Sequence, residues 1–210
     1  MTKPILGIFG GTFDPIHVAH LAVAEAARDA LGLERVLFIP NGEPPHKPNH
    51  AVTPAPDRLA MVRAAIEGNP AFEVSTIEID RDGPSYTADT LGALLMAEGS
   101  ATELALILSV EALAGLATWF EPEQVLALAR LVVAPRDGYP DVSPDAIARF
   151  VPAAEARITM LDGPRMRLSG SDIRARAGAG RSVRYLVPDA VAAYIGDHGL
   201  YHDPRRNHPS

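Results

Sequence analysis

The 210-residue chain has no cysteine. Disulfides and thiolate metal sites are thereby excluded, and a reducing, cytoplasmic compartment fits. Aromatic residues are few, at 6%, and there is one tryptophan. No segment approaches the roughly 20 apolar residues that cross a bilayer. A single lysine precedes the first apolar stretch, so the start does not read as a signal peptide. The net charge of -7 and a pI near 5.5 leave no general nucleic-acid footprint. One stretch runs against that balance: Arg165 to Arg184 holds six arginines and one acid, Asp172. It reads as a solvated face or as a local anion site. The 47% of apolar residues is enough for a core. The length suits one domain over residues 1–201, with a polar tail over 202–210 that reads as poorly ordered.

Two phosphate-binding patterns are also missing. No Lys-Ser or Lys-Thr follows the early glycines, which excludes a Walker loop. Gly7, Gly10 and Gly11 do not have the dinucleotide spacing Gly-x-Gly-x-x-Gly.

What is present is the run Gly10-Gly11-Thr12-Phe13-Asp14-Pro15-Ile16-His17-Val18-Ala19-His20. Before it, Ile5-Leu6-Gly7-Ile8-Phe9 reads as a buried parallel strand. After it, an alanine-rich stretch from His17 to Leu31 reads as a helix. Glycines let a ligand come close to the backbone, and a helix start attracts phosphate. His17 and His20, three apart, share a helix face and add donors there. A zinc pair is the alternative for these two, but further ligands are missing nearby, and no protein metal site is expected.

Further along, strands and helices alternate. Strands are predicted at 35–40, within 72–80, and at 103–108, 131–134 and 157–161. Helices are predicted at 57–67, 87–98, 122–130, 143–150, 170–179 and 188–196. The pattern predicts a doubly wound, Rossmann-like α/β parallel sheet with a small C-terminal helical portion. Ligands on such sheets bind at the carboxyl ends of the strands, where the strand order reverses. A second site candidate is Leu168-Ser-Gly-Ser-Asp-Ile-Arg174. Its serines and Asp172 read as helix N-cap residues, or, with Arg174, as a polyphosphate grip.

The first motif resembles that of the nucleotidylyltransferase superfamily, whose members join a nucleoside monophosphate to a phosphate acceptor. The second is similar to that superfamily's Ile-Ser-Ser-Thr-x-Ile-Arg motif, with Gly170 in place of a serine. Pro40-Asn-Gly-Glu-Pro-Pro-His-Lys47, Ser85-Tyr-Thr-Ala-Asp-Thr-Leu91, Thr118-Trp119 and Val133-Ala-Pro-Arg-Asp-Gly-Tyr139 follow the order seen in bacterial nicotinate-nucleotide adenylyltransferases. Pantetheine-phosphate adenylyltransferase looks similar at the first motif, but is shorter and lacks the Ser-Tyr-Thr and Thr-Trp blocks.

The resemblance implies adenylyl transfer from ATP, with Mg²⁺, to nicotinate mononucleotide. His17, His20 and Arg174 become the catalytic candidates. Gly10, Gly11, Thr12, Phe13, Ser169 and Ser171 become ATP and phosphate ligands. Thr87 and Trp119 are implied at the acceptor's carboxylate and pyridine ring. His46 and Lys47 lie on a proline-rich loop that could close over the phosphates, and Arg136 is a further acceptor contact. Two places depart from the family. Ala19 replaces a glycine, and Ser109-Val110-Glu111 stands where members carry Gly-Ala-Asp or a close variant, which implies Ser109 and Glu111 at the ATP ribose. The alternatives are another acceptor, nicotinamide mononucleotide or phosphopantetheine, or a non-catalytic nucleotide-binding protein. Neither a nucleic acid nor a membrane partner is expected, and the sequence leaves the oligomeric state open.

Overall fold

The structure is a computed structural model that describes residues 3–42, 52–99, 101–138 and 157–202. In it, β1 (Ile5–Gly11) leads into α1 (Val18–Leu31), and β2 (Arg35–Pro40) into α2 (Ala55–Ile66). Then come β3 (Phe72–Val74), α3 (Thr87–Glu98) and β4 (Glu103–Ser109). A short α4 (Val110–Ala114) and a 3₁₀ turn at Leu116–Thr118 precede α5 (Pro122–Leu128) and β5 (Ala129–Ala134). β6 (Ile158–Met160), α6 (Gly170–Gly178) and α7 (Asp189–Asp197) follow among the described residues.

The strands form one six-stranded sheet in the order β3-β2-β1-β4-β5-β6. Every pairing is parallel. Alternation along the strands splits the core in two. Phe9, Val36, Phe38, Ala105, Ile107 and Val132 face α1, α2, α6 and α7. Leu6, Ile8, Leu37, Ile39, Leu104, Leu106 and Leu131 face α3, α4 and α5. Both faces are covered, which is why the strands read as nearly continuous apolar runs. The order reverses between β1 and β4, and this puts the carboxyl end of β1 at the switch point. The doubly wound sheet expected from the alternation is the fold observed.

Several boundaries differ from the sequence expectation. β1 runs on through Gly10 and Gly11, because both pair with β2. The helix expected to reach Arg130 stops at Leu128, since Ala129 and Arg130 pair with Leu104 and Ala105 of β4. Arg130 also meets Glu103 at 3.0 Å across the two strands. Sheet pairing here overrides helix propensity. Within 72–80, only Phe72–Val74 is strand. Beyond it the Asp80 carboxylate accepts from Thr76 Oγ1, and the Asp80 N–H bonds back to the Thr76 carbonyl, closing a turn. α4 was not foreseen; the Ser109 hydroxyl caps it by accepting from the Ala112 N–H at 3.2 Å. The helix expected at 143–150 and the tail from 203 lie outside the described residues.

Candidate active site

A cleft of about 650 Å³ opens at the carboxyl ends of β1, β4 and β5. Its floor is the turn from β1 into α1. His17 is the N-cap of α1, in extended backbone, and His20 stands three residues on in the first turn. Their rings stack with centroids 3.7 Å apart. The His17 N–H donates to His20 Nδ1 at 3.2 Å. A neutral imidazole has one donor nitrogen, so this bond leaves the proton of His20 on Nε2. The His20 ring also sits edge-on to Phe9 and Phe13, so it serves the packing as well as the cleft. Burial pulls the His17 pKa down to about 4, with help from the Arg136 charge. Burial, His17 and Arg136 hold His20 well below its ordinary value too. Both imidazoles are neutral donors near pH 7. Among the described residues, the buried His17 Nδ1 has no hydrogen-bond partner.

The two glycines differ, and of the pair Gly10 alone lines the cleft. A Cβ on Gly10 would meet nothing within 4 Å, so the backbone there is open to the cleft. A Cβ on Gly11 would press on the Phe13 ring at 3.2 Å. Thr12, Phe13 and Ala19 line the same cleft.

The opposite wall is the start of α6. Ser169 is its N-cap and accepts from the Asp172 N–H at 3.1 Å. The N-cap reading therefore holds, while Ser169, Gly170, Ser171 and Arg174 all line the cleft. Arg174 Nη2 donates to Ser171 Oγ at 3.2 Å, and its Nη1 donates to the Asp14 carbonyl at 2.6 Å. The two sequence motifs, far apart in the chain, form facing walls of one cleft.

Ser109 at the end of β4 and Glu111 and Ala112 of α4 line it as well, and Arg136 follows β5. Arg136 Nη1 donates to Glu111 Oε2. Arg136 thus lies on the side of the histidines and Glu111.

The cytidylyltransferase-like family matches residues 8–176. A probable nicotinate-nucleotide adenylyltransferase of a Roseiflexus species is 50% identical over 96% of this chain and 100% of its own. That of Thermomicrobium roseum is 47% identical over 93% of this chain and 91% of its own. The chain belongs to the nicotinate-nucleotide adenylyltransferase family. Its fold is also that of the Plasmodium falciparum nicotinic acid mononucleotide adenylyltransferase complexed with NaAD. That likeness has a TM-score of 0.78 at 16% identity and covers 94% of this chain and 97% of the other.

Against this adenylyltransferase fold, the acceptor candidates stand apart from the histidines. Thr87 and Trp119 are half-buried and do not line the cleft just described. Their chain neighbours Tyr86 and Phe120 are in ring contact at 4.6 Å, which brings the two candidate segments side by side. Trp119 packs on the α3–α5 half of the core. Tyr86 is the N-cap of α3, and Thr87 is its first helical residue. His46 and Lys47 lie outside the described residues.

Two residues escaped the sequence reading. Arg58 of α2 is 1% exposed. Tyr201 donates its hydroxyl to Asp14 Oδ1 at 2.7 Å. Asp14 itself, seen only as part of a motif, is a buried hub that also takes the Thr53 N–H at 3.3 Å. Arg58 did leave a signal. Met61, Val62 and Ile66 are the buried apolar residues of α2, and Arg58 falls three and four residues before the first two, on that same face.

Proposed function

We propose that this cleft transfers the adenylyl group of ATP to nicotinate mononucleotide, giving nicotinate adenine dinucleotide and pyrophosphate for NAD biosynthesis. A phosphate oxygen of the acceptor attacks the α-phosphorus in line. The bond from that phosphorus to the β-bridging oxygen breaks, and the electron pair leaves with pyrophosphate. A phosphate monoester is already a competent nucleophile near pH 7, so no strong base is needed. Catalysis comes from positioning and charge stabilisation.

The observation that carries the reading is the stacked, neutral pair His17 and His20 at the end of β1. In the proposal they donate to the α- and β-phosphates beside the open backbone of Gly10, with Gly11, Thr12 and Phe13 completing the turn. Arg174, Ser171 and Ser169 grip the departing pyrophosphate. Ser109 and Glu111 face the adenosine ribose. Thr87 donates to the nicotinate carboxylate and Trp119 stacks on its ring. His46 and Lys47 supply further phosphate contacts on the acceptor side, and Arg136, expected there too, stands between Glu111 and the histidines, where it holds the Glu111 carboxylate. Mg²⁺ bound to the triphosphate would supply charge neutralisation there. The described cleft donors are mainly neutral N–H and O–H groups and guanidinium, and no group of three or more acids and histidines gathers among the described residues. Such donors fit a cation held by the phosphates themselves. Use of ATP fits a cytoplasmic setting.

The test is pyrophosphate release with nicotinate mononucleotide, nicotinamide mononucleotide and phosphopantetheine as acceptors. We expect kcat/KM to favour nicotinate by a few kcal/mol, because buried donors go unpaired against an amide. Equal efficiencies would refute the acceptor assignment. Binding of ATP without turnover on any acceptor would favour a nucleotide-binding protein. Trp119→Ala should weaken the acceptor more than ATP, since stacking is lost on one substrate only.

A further inference from the structure

The Arg58 guanidinium is wedged beneath the ends of β1 and β2. Its Nε donates to the Thr53 carbonyl at 2.8 Å. Nη1 donates to the Thr12 carbonyl at 2.9 Å and to Asn41 Oδ1 at 3.1 Å. Nη2 donates to the carbonyls of Asn41 at 2.8 Å and Gly42 at 3.2 Å. A guanidinium has five N–H groups, and all five are used. The Asn41 N–H in turn donates to the Gly11 carbonyl at 3.0 Å, which fixes the backbone that carries the amide.

The polarity of these bonds runs in one direction. Arginine can only donate, so the Asn41 atom facing it must be the carbonyl oxygen. The amide nitrogen then faces Thr12 Oγ1 at 3.4 Å. An amide NH₂ can also only donate, so the Thr12 oxygen must accept. Its own proton is left for another acceptor, and Thr12 lines the cleft. A phosphoryl oxygen is such an acceptor and never a donor. We infer that Arg58 and Asn41 are positioning residues that set the direction of the Thr12 hydroxyl, holding its proton toward phosphate. A donor oriented before the ligand arrives needs no reorganisation during reaction. The inference rests on the reading of Thr12 as a phosphate ligand.

Asn41→Asp is the sharp test. The carboxylate has the same shape and still accepts from Arg58, but it also accepts from Thr12, and so turns that hydroxyl away from the cleft. Turnover and ATP affinity by titration calorimetry are read for wild type, Asn41→Asp, Thr12→Val and the double variant, with thermal unfolding alongside. We expect Asn41→Asp to keep its melting temperature and to lose about tenfold in kcat or in ATP affinity, the scale of one hydrogen bond to a charged group. In the T12V background the same change should cost less than about threefold, because the two act through one proton. Charge repulsion between the new carboxylate and ATP would persist in that background. An equal loss in both backgrounds therefore overturns the relay, as does a fully active Asn41→Asp. If Asn41→Asp does not fold, Asn41→Ala enters the same cycle with the same expectation. A wild type that binds ATP without releasing pyrophosphate refutes the transfer reaction, while the affinities still decide the relay.

Discussion

Gly170 lies against the main-chain carbonyl of Asp14: a Cβ at that position would fall 2.6 Å from the oxygen. The same carbonyl receives Arg174 Nη1. The serine that the resemblance implies at Gly170 is thus replaced for a physical reason, a backbone-to-backbone approach between the two motifs. Gly170→Ser should force the walls apart and destabilise the fold by about 1–3 kcal/mol, the range for overpacking. In a chain of this size each kcal/mol lowers the melting temperature by roughly 2–4 °C. Thermal unfolding checks it, and an unchanged midpoint would show that α6 shifts freely.

The His20 ring has its Nδ1 occupied by the His17 N–H, which commits Nε2 to donation. His20→Ala should lower kcat by at least about a hundredfold, the scale of one oriented charge-stabilising donor. Near-wild-type turnover in folded His20→Ala protein would remove it from the mechanism. Because the ring touches Phe9 and Phe13, some loss of stability accompanies this change. A circular dichroism melt separates the two effects.

The strands, the switch point and the first motif were legible in the sequence because they depend on local signals. Apolar runs mark β1, β2 and β4, and glycines followed by two histidines mark a strand-to-helix turn. What was not legible depends on partners distant in sequence. The Arg174–Asp14 contact spans 160 positions, and no spacing rule predicts it. Arg58 on an apolar helix face hinted at a buried charge, but its five acceptor atoms belong to four residues at three separate places in the chain: Thr12, the adjacent Asn41 and Gly42, and Thr53. The end of α5 is set by the pairing of Ala129 and Arg130 with β4, which helix propensity does not register. Beside the ligand role that the resemblance implies, the Ser109 hydroxyl starts a helix.

Burial of His17 has a consequence for acid stability. Its pKa is near 4 in the folded chain and about 6.5 when unfolded. Between these values the unfolded state binds more protons, so stability rises with pH through that window. Going down from pH 7, the fold should lose stability once the pH passes 6.5, and this loss levels off near pH 4. The size is about 3 kcal/mol for His17, as an order of magnitude. Urea unfolding of wild type and His17→Asn at pH 7 and pH 4.5 checks it. The variant should show a flatter difference between the two pH values, and parallel behaviour would mean that the imidazole is hydrated in the fold.

The Glu111–Arg136 ion pair bears on the departure at Ser109-Val110-Glu111. Both side chains are partly exposed, at 48% and 36%. Exposed pairs of this kind contribute about 0.2–1 kcal/mol to stability, so either residue can be removed without unfolding the chain. The value of the pair is positional. Glu111 carries its carboxylate one methylene farther out than the aspartate the family pattern implies. Arg136 holds that carboxylate at the rim of the cleft while projecting its own charge toward His17 and His20. If the carboxylate takes the ATP ribose hydroxyls, Glu111→Ala should raise the KM for ATP about tenfold, or roughly 1.4 kcal/mol. The acceptor KM should change much less. Arg136→Ala should also raise the KM for ATP, by releasing Glu111, and the double variant should fall short of the product of the two single effects. Steady-state kinetics with each substrate varied in turn decides it. An unchanged KM for ATP in Glu111→Ala would remove Glu111 from the ribose, and independent, multiplying effects would show that the ion pair does not hold the carboxylate in place.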